Sequence, residues 1–172
     1  MPVLDLYADD RRDQLAQPLS DAFEQGFELL SRKAKRIKHI GVNPQTYEVD
    51  IGMAGFSGNW LDRDLSATEK QHVGLSLLYA LRHQAQSALP VVVDTPTSRM
   101  DKRHKGYSVT KFYPNLSHQV IVLATSDDLA GGLYSELKEA NALGCELLLK
   151  ESGDAEVEVE AGSLSAFFEV DP

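Results

Sequence analysis

Cysteine occurs once, at Cys145, which excludes an internal disulfide and any Cys-x-x-Cys zinc site. A reducing cytoplasm is the expected setting. No apolar run approaches the ~20 residues that span a bilayer, and the stretch from Met1 to Asp10 is acidic rather than signal-like. The expectation is a soluble, unprocessed protein with no membrane partner. Positive charge is in deficit: 17 Lys and Arg stand against 26 Asp and Glu, a net charge of −9. The molecule as a whole repels nucleic acid, so any DNA contact requires a local basic patch. Nucleophilic Ser-His-Asp chemistry has no Gly-x-Ser-x-Gly elbow to build on, and no His pair stands at metal-ligand spacing on an expected helix. The largest absence is the Gly-x-x-x-x-Gly-Lys-Ser/Thr loop that cradles nucleotide phosphates, which occurs nowhere in the 172 residues.

With 42% hydrophobic side chains, the chain has enough apolar content for one ordinary core, so residues 1–172 are expected to form a single domain. Phe23, Phe27, Leu30, Ala34 and Ile37 recur in a heptad rhythm, which predicts an amphipathic helix over 13–41 that ends before Asn43-Pro44. Two alternatives stand for it: a helix lying on the core, or the end of a coiled-coil arm. Tyr47, Val49 and Ile51 alternate with polar residues as in a half-buried strand. A helix is predicted from Ser66 to about Gln86, with Val73, Leu77, Leu78 and Leu81 on its apolar side.

Val91 to Val93 and Val120 to Ala124 lack alternation, the pattern of strands buried on both faces. The helical or mixed segment between them implies that they are parallel neighbours in an α/β sheet. A helix over Leu133 to Leu143 and a charged hairpin from Glu146 to Val159 complete the expected elements.

Three places carry possible chemistry. Ser66, three residues before Glu69, reads as a capping box. A helix start is also an anion site, so the same serine can face a phosphate. Asp94 ends an apolar strand, where metals and ligands gather in open α/β sheets, and a hard oxygen ligand there suits Mg²⁺. As the bland alternative, Asp94 caps a turn with Thr95-Pro96. Asp101 fits a helix N-cap. Two basic clusters are present, Arg32, Lys33, Lys35, Arg36 and Lys38, then Arg99, Lys102, Arg103, His104 and Lys105. A solvated charged face accounts for either.

Taken in order, Leu65 to Gln71, Val91 to Pro96, Ser98 to Asp101, Phe112 to Val120 and Ile121 to Ala124 resemble the C-terminal lobe of an ABC-type (P-loop NTPase) ATPase head of the SMC-like class. Within that class the chain is most similar to the DndD-type ATPases of bacterial DNA phosphorothioate (sulfur) modification. The likeness runs from about Phe23 to Ser126. It implies a largely parallel buried sheet flanked by helices, with 45–172 as a lobe lacking Walker A. It also implies ATP and Mg²⁺ as ligands, with Asp94 as the Walker B aspartate that orders Mg²⁺ and Thr95 beside it in the catalytic position. Ser66, Ala67, Thr68 and Glu69 would form the signature segment that meets ATP on an opposite head. Asp101 would be the D-loop aspartate between two heads.

The implied partners are a Walker A-bearing lobe or polypeptide, a second head, other DNA-modification proteins, and DNA through Arg32, Lys33, Lys35 and Arg36. Three positions depart from the broad ABC pattern: Thr68 replaces a glycine, Thr95 a glutamate, and Thr125-Ser126 a switch histidine. Hydrolysis is therefore expected to be slow and, because the phosphate loop is absent, to occur only together with a Walker A lobe. Nonenzymatic assembly or DNA binding by a lobe derived from an ABC head is the alternative.

Overall fold

The computed structural model describes residues 2–31, 35–43, 45–85, 89–98, 100–153 and 155–168. It is mixed α/β, and its described strands form three two-stranded sheets. The chain divides into two compact units. One holds residues 1–91 and 115–119, and the other 92–114 and 120–172.

The first unit begins with a long helix, α1 (Pro2–Leu30). Its exposed early turns are laced by pairs at helical spacing, Arg12 with Asp9 at 2.9 Å and Gln14 with Asp10 at 2.7 Å. The later turns bury Ala22, Phe23, Phe27 and Leu30, and each fully buried side chain of the larger kind stabilises by roughly 1.5–3 kcal/mol. An antiparallel hairpin of β1 (Ile37–Val42) and β2 (Val49–Met53) follows, in a register that sets Ile40 opposite Ile51 and Val42 opposite Val49. Ser20 ties the hairpin to α1: its hydroxyl accepts from the Val42 N–H at 3.1 Å and donates to the Ala16 carbonyl at 2.8 Å.

The expected helix over 13–41 is therefore corrected. It starts earlier and ends at Leu30, and Ile37 belongs to a strand. Asn43 closes β1, accepting from the N–H groups of Gln45 and Thr46 in an Asx turn rather than ending a helix. The heptad rhythm misleads because Ile37, Ile40 and Val42 are β-branched and find cross-strand partners, while Ala34 lies outside the described residues.

Asn59 pins the loop after β2. Its side-chain oxygen accepts from Ile51 and Leu61 N–H, and its amide donates to the Val49 carbonyl at 2.9 Å. This seats Trp60, which meets Phe27 edge to face at 6.0 Å. The core of this unit unites Phe23, Phe27, Ile51, Met53, Trp60, Leu65 and Ala80.

Helix α2 (Ala67–Gln84) packs on α1. Its buried stripe is His72, Ser76, Tyr79 and Ala80. Val73 and Leu77 pack partly against the core, whereas Leu78 and Leu81 are 37% and 53% exposed, against expectation. The reason lies in the crossing: at Gly26 a Cβ would stand 2.9 Å from Tyr79 Cβ and 3.2 Å from Ser76 Cα. The helices approach along the small side chains, which turns the leucine edge outward.

The second unit carries the parallel pair β3 (Val91–Asp94) and β4 (Val120–Leu123), apart from Val91 itself. Val91 N–H reaches the Gln119 carbonyl at 3.0 Å and Thr95 N–H the Leu123 carbonyl at 3.1 Å, so both strands advance in the same direction. The expected parallel neighbours are present. The expected burial on both faces is not, because Val92, Ile121 and Leu123 are 59%, 42% and 47% exposed. Side chains along both strands alternate between half-buried and exposed, so one face of the pair is open to solvent.

Between the strands, α3 (Lys102–Tyr107), a π-helical stretch from Ser108 to Phe112 and α4 (Tyr113–Leu116) form the crossover. After two left-handed glycines, Gly131 and Gly132, comes α5 (Leu133–Glu139). The hairpin of β5 (Leu147–Gly153) and β6 (Glu156–Ala161) is antiparallel as expected, with Leu149 opposite Val159. A last turn, α6 (Ser165–Phe168), stacks Phe168 on Tyr134 at 5.1 Å. Val109, Leu129, Tyr134 and Phe168 form a core cluster of this unit. The sheet content is thus one parallel pair beside two antiparallel ones, rather than a largely parallel buried sheet.

Candidate functional site

The sequence-predicted residues divide between the units. Ser66 to Glu69 belong to the first, and Asp94, Thr95 and Asp101 to the second.

Leu65 is buried in the first unit's core, which fixes the entry to α2. Ser66 then adopts the extended N-cap conformation and closes a full capping box. Its hydroxyl accepts from Glu69 N–H at 3.3 Å, and a Glu69 carboxylate oxygen accepts from Ser66 N–H at 2.9 Å. The Ser66 hydroxyl also lies 2.9 Å from that oxygen. Ser66 and Ala67 are exposed, and Thr68 is half-buried. The structural role of the Ser-x-x-Glu pattern is therefore present. The positive end of an 18-residue helix dipole also opens to solvent beside it.

Asp94 is exposed at the carboxyl end of β3, and its carboxylate makes no hydrogen bond or ion pair among the described residues. Thr95 follows at φ 46°, a left-handed conformation that is uncommon and costly for a β-branched residue. Its N–H is held by Leu123. Beyond it, Thr97 is fully buried and joined to Asp128, itself only 4% exposed. Asp128 accepts from Thr97 N–H at 3.2 Å through one carboxylate oxygen and from Thr125 N–H at 2.9 Å and Thr125 Oγ1 at 2.8 Å through the other. Thr97 Oγ1 stands 2.9 Å from both the first of these oxygens and the Asp128 carbonyl. Burial works to raise the Asp128 pKa, but the hydrogen bonds from Thr125 and Thr97 outweigh it and hold the carboxyl below its ordinary value. Tyr113 donates its hydroxyl to the Pro96 carbonyl. Burial, aided by the Asp128 charge, pushes that phenol far up.

Asp128, Thr97 and Tyr113 were not legible as site residues. The one available signal was Thr125 three residues before Asp128, a turn pattern directly after an apolar strand.

Asp101 is the N-cap of α3. It accepts from Arg103 and His104 N–H at 3.0 and 2.9 Å, and its second oxygen meets His104 Nδ1 at 2.8 Å. The backbone and ring contacts of His104 lower its pKa. Of the basic clusters, Arg32, Lys33 and Arg99 lie outside the described residues. Lys35 and Arg36 are exposed, and Arg36 donates to the Ala54 carbonyl at 3.0 Å. Lys105 donates to the Asp127 carbonyl at 3.0 Å.

Among the described residues no three His, Cys, Asp or Glu side chains gather to hold a metal. The donor set at Asp94 is a single hard carboxylate. That suits Mg²⁺, which keeps several waters and shares itself with phosphate oxygens, and does not suit a metal held by protein ligands alone. No described helix is long and apolar enough to cross a membrane. A scan of protein-family models finds no match for the chain, and a search of curated proteins finds none.

Proposed function

We propose that this chain is the C-terminal lobe of an SMC-like ABC-type ATPase head of the DndD kind, serving bacterial DNA phosphorothioate modification or a related defence or repair process. It completes a composite ATP site with a Walker A-bearing lobe. The observation that carries the reading is the parallel pair β3–β4, which ends in the exposed Asp94, unpaired among the described residues, and leaves the apolar side chains of Val92, Ile121 and Leu123 open. A lobe that awaits further sheet or helix cover has this character.

In this reading the chain's own groups act by position. Asp94 would hold Mg²⁺, which when bound would supply charge neutralisation to phosphoryl oxygens. Ser66, with the backbone of Ala67 and Thr68, presents the start of α2 to a γ-phosphate held by the opposite head, where helix N–H groups and dipole favour negative charge. Thr68 replaces the hydrogen of glycine with a side chain, which limits how closely that backbone approaches. Asp101 stands at the turn between heads. Thr95 has no carboxylate to orient an attacking water, so turnover is slow.

The test exploits the capping box. Aspartate is also a favoured helix cap, so Ser66→Asp keeps an acceptor for the Glu69 N–H while it sets a negative charge against the phosphate, at the loss of the hydroxyl contact with Glu69. After the Walker A polypeptide has been identified, the reconstituted pair is assayed for ATP turnover and ATP-dependent association. Ser66→Asp and Asp94→Asn are expected to abolish both, and unchanged turnover in both variants would overturn the reading. A second reading, nonenzymatic assembly, draws on Thr68 and Thr95 and predicts association that is independent of nucleotide.

A further inference from the structure

The hairpin of β5 and β6 has two faces of opposite character. Its register sets Leu149 opposite Val159, Leu147 opposite Ala161 and Lys150 opposite Glu158. Side chains directly opposite share a face, and successive ones along a strand alternate. One face therefore carries Leu147, Leu149, Val157 and Val159, which are 53%, 63%, 59% and 62% exposed. The other carries Lys150 with Glu156, Glu158 and Glu160. Of β5 only Leu148 is half-buried, and every residue of β6 is exposed.

The base of the hairpin is anchored. The Glu146 carboxylate accepts from the Tyr134 hydroxyl and, at 2.9 Å, from the Leu164 N–H, while its carbonyl accepts from the Gly162 N–H at 3.2 Å. Beyond that base, β6 has β5 on one side and, among the described residues, no strand on the other. Two strands with an apolar face in water are marginal, and a third strand is the addition that stabilises such a sheet. An open edge offers its backbone N–H and C=O groups to an extended segment.

Charge selects the edge and the occupant. Among the described residues Glu160 is paired with Lys150, while Glu156 and Glu158 have no ion pair. A strand added at β6 continues both faces, so its alternate residues fall beside Val157 and Val159 on one side and beside Glu156 and Glu158 on the other. Apolar side chains suit the first row and Lys or Arg the second, because opposite charges on neighbouring strands stabilise and like charges repel. The β5 edge would set Lys150 against the same basic residues. Pairing with β6 of a second copy would bring glutamates beside glutamates in a chain of net charge −9. Nucleic acid and anionic lipid are repelled by the same row.

We propose that the free edge of β6 is a docking site for an extended segment of a partner polypeptide in which apolar residues alternate with Lys or Arg, added as a third strand. The site involves neither Ser66 nor Asp94 and is independent of the reading as an ATPase lobe.

The test uses the full chain, amide-resolved hydrogen exchange and, as probe, a blocked peptide of strictly alternating Lys and Val. A second peptide of the same composition, with Lys and Val in like pairs, carries equal charge but cannot keep one residue type on each face. At saturation the alternating peptide is expected to slow exchange within residues 157–160 by at least about tenfold, with α2 amides unchanged. It is also expected to bind several-fold tighter than the paired peptide. Glu156→Gln combined with Glu158→Gln is expected to weaken its binding several-fold and to reduce the salt dependence. The comparison of the two peptides needs no variant, so it remains decisive if the double substitution disturbs the hairpin.

Equal binding of both peptides, or unchanged exchange along β6, overturns the docking site. Slowing along β5 in place of β6 overturns the choice of edge and the charge argument with it. Slowing along β6 that rises with chain concentration in the absence of peptide identifies a second copy as the occupant and overturns the basic partner.

Discussion

Thr95 and Asp128 both depart from what their residue types prefer. A threonine at positive φ costs of order 1–3 kcal/mol, and a carboxylate at 4% exposure is rare without compensating bonds. The two are linked, since the Thr97 groups that bond Asp128 belong to the turn containing Thr95. The pH dependence follows from the lowered Asp128 pKa. Because the folded-state value lies below the unfolded one, its stabilisation is fully present above the unfolded value, near about pH 4. It is lost as pH falls through the folded value. Urea unfolding measured from pH 7 to pH 3 should show a loss of stability on the acid side. Asp128→Asn, which does not titrate, should show a smaller loss. The Thr125-x-x-Asp128 spacing was readable as a turn, but which donors the carboxylate would meet depended on Thr97, which lies 31 residues away in the chain.

Elements are secured here by small devices at their ends and crossings. The Ser66 box was legible because capping is local: both partners lie within one turn of sequence. Ser66→Ala should lower stability by about 1 kcal/mol, and Ser66→Asp, which keeps the cap acceptor but faces the Glu69 carboxylate that the serine hydroxyl contacts, should lower it by less, as thermal unfolding will report. The crossing of α1 and α2 at Gly26 was not legible, since nothing in the sequence says which faces of two helices meet. Overpacking there costs about 1–3 kcal/mol, while alanine returns at most about 1 kcal/mol in helix propensity. Gly26→Ala should therefore destabilise, and Gly26→Val more so, in denaturant melts. The same crossing explains why Leu78 and Leu81 face outward although their spacing looks like a core stripe.

At the scale of the whole molecule, charge is the dominant readable property. A net charge of −9 opposes binding to a polyanion, and the exposed Lys35 and Arg36 offer only a local counterweight. The chain alone should therefore bind duplex DNA no more tightly than the nonspecific range of about 10⁻⁴–10⁻⁶ M at physiological salt. Fluorescence anisotropy over a salt series checks this, and tight binding there would return weight to a DNA-binding role. Exposure of Val92, Ile121 and Leu123 also means that one face of the β3–β4 pair is an apolar surface.

The sequence by itself determined the properties that depend on neighbours in the chain. These include the cap at Ser66, the N-cap at Asp101, the parallel sense of β3 and β4 with a helical crossover between them, and the hairpin near the C-terminus. Periodicity, turn chemistry and capping act over a few residues, and a crossover long enough to hold a helix sets strand direction. Only the tertiary structure decided that Ile37 pairs in a sheet, that β3 and β4 keep an uncovered face, and that Asp128 binds the two turns beside Asp94. Those outcomes depend on which distant groups share a surface, and a short stretch of sequence carries no record of its opposite wall.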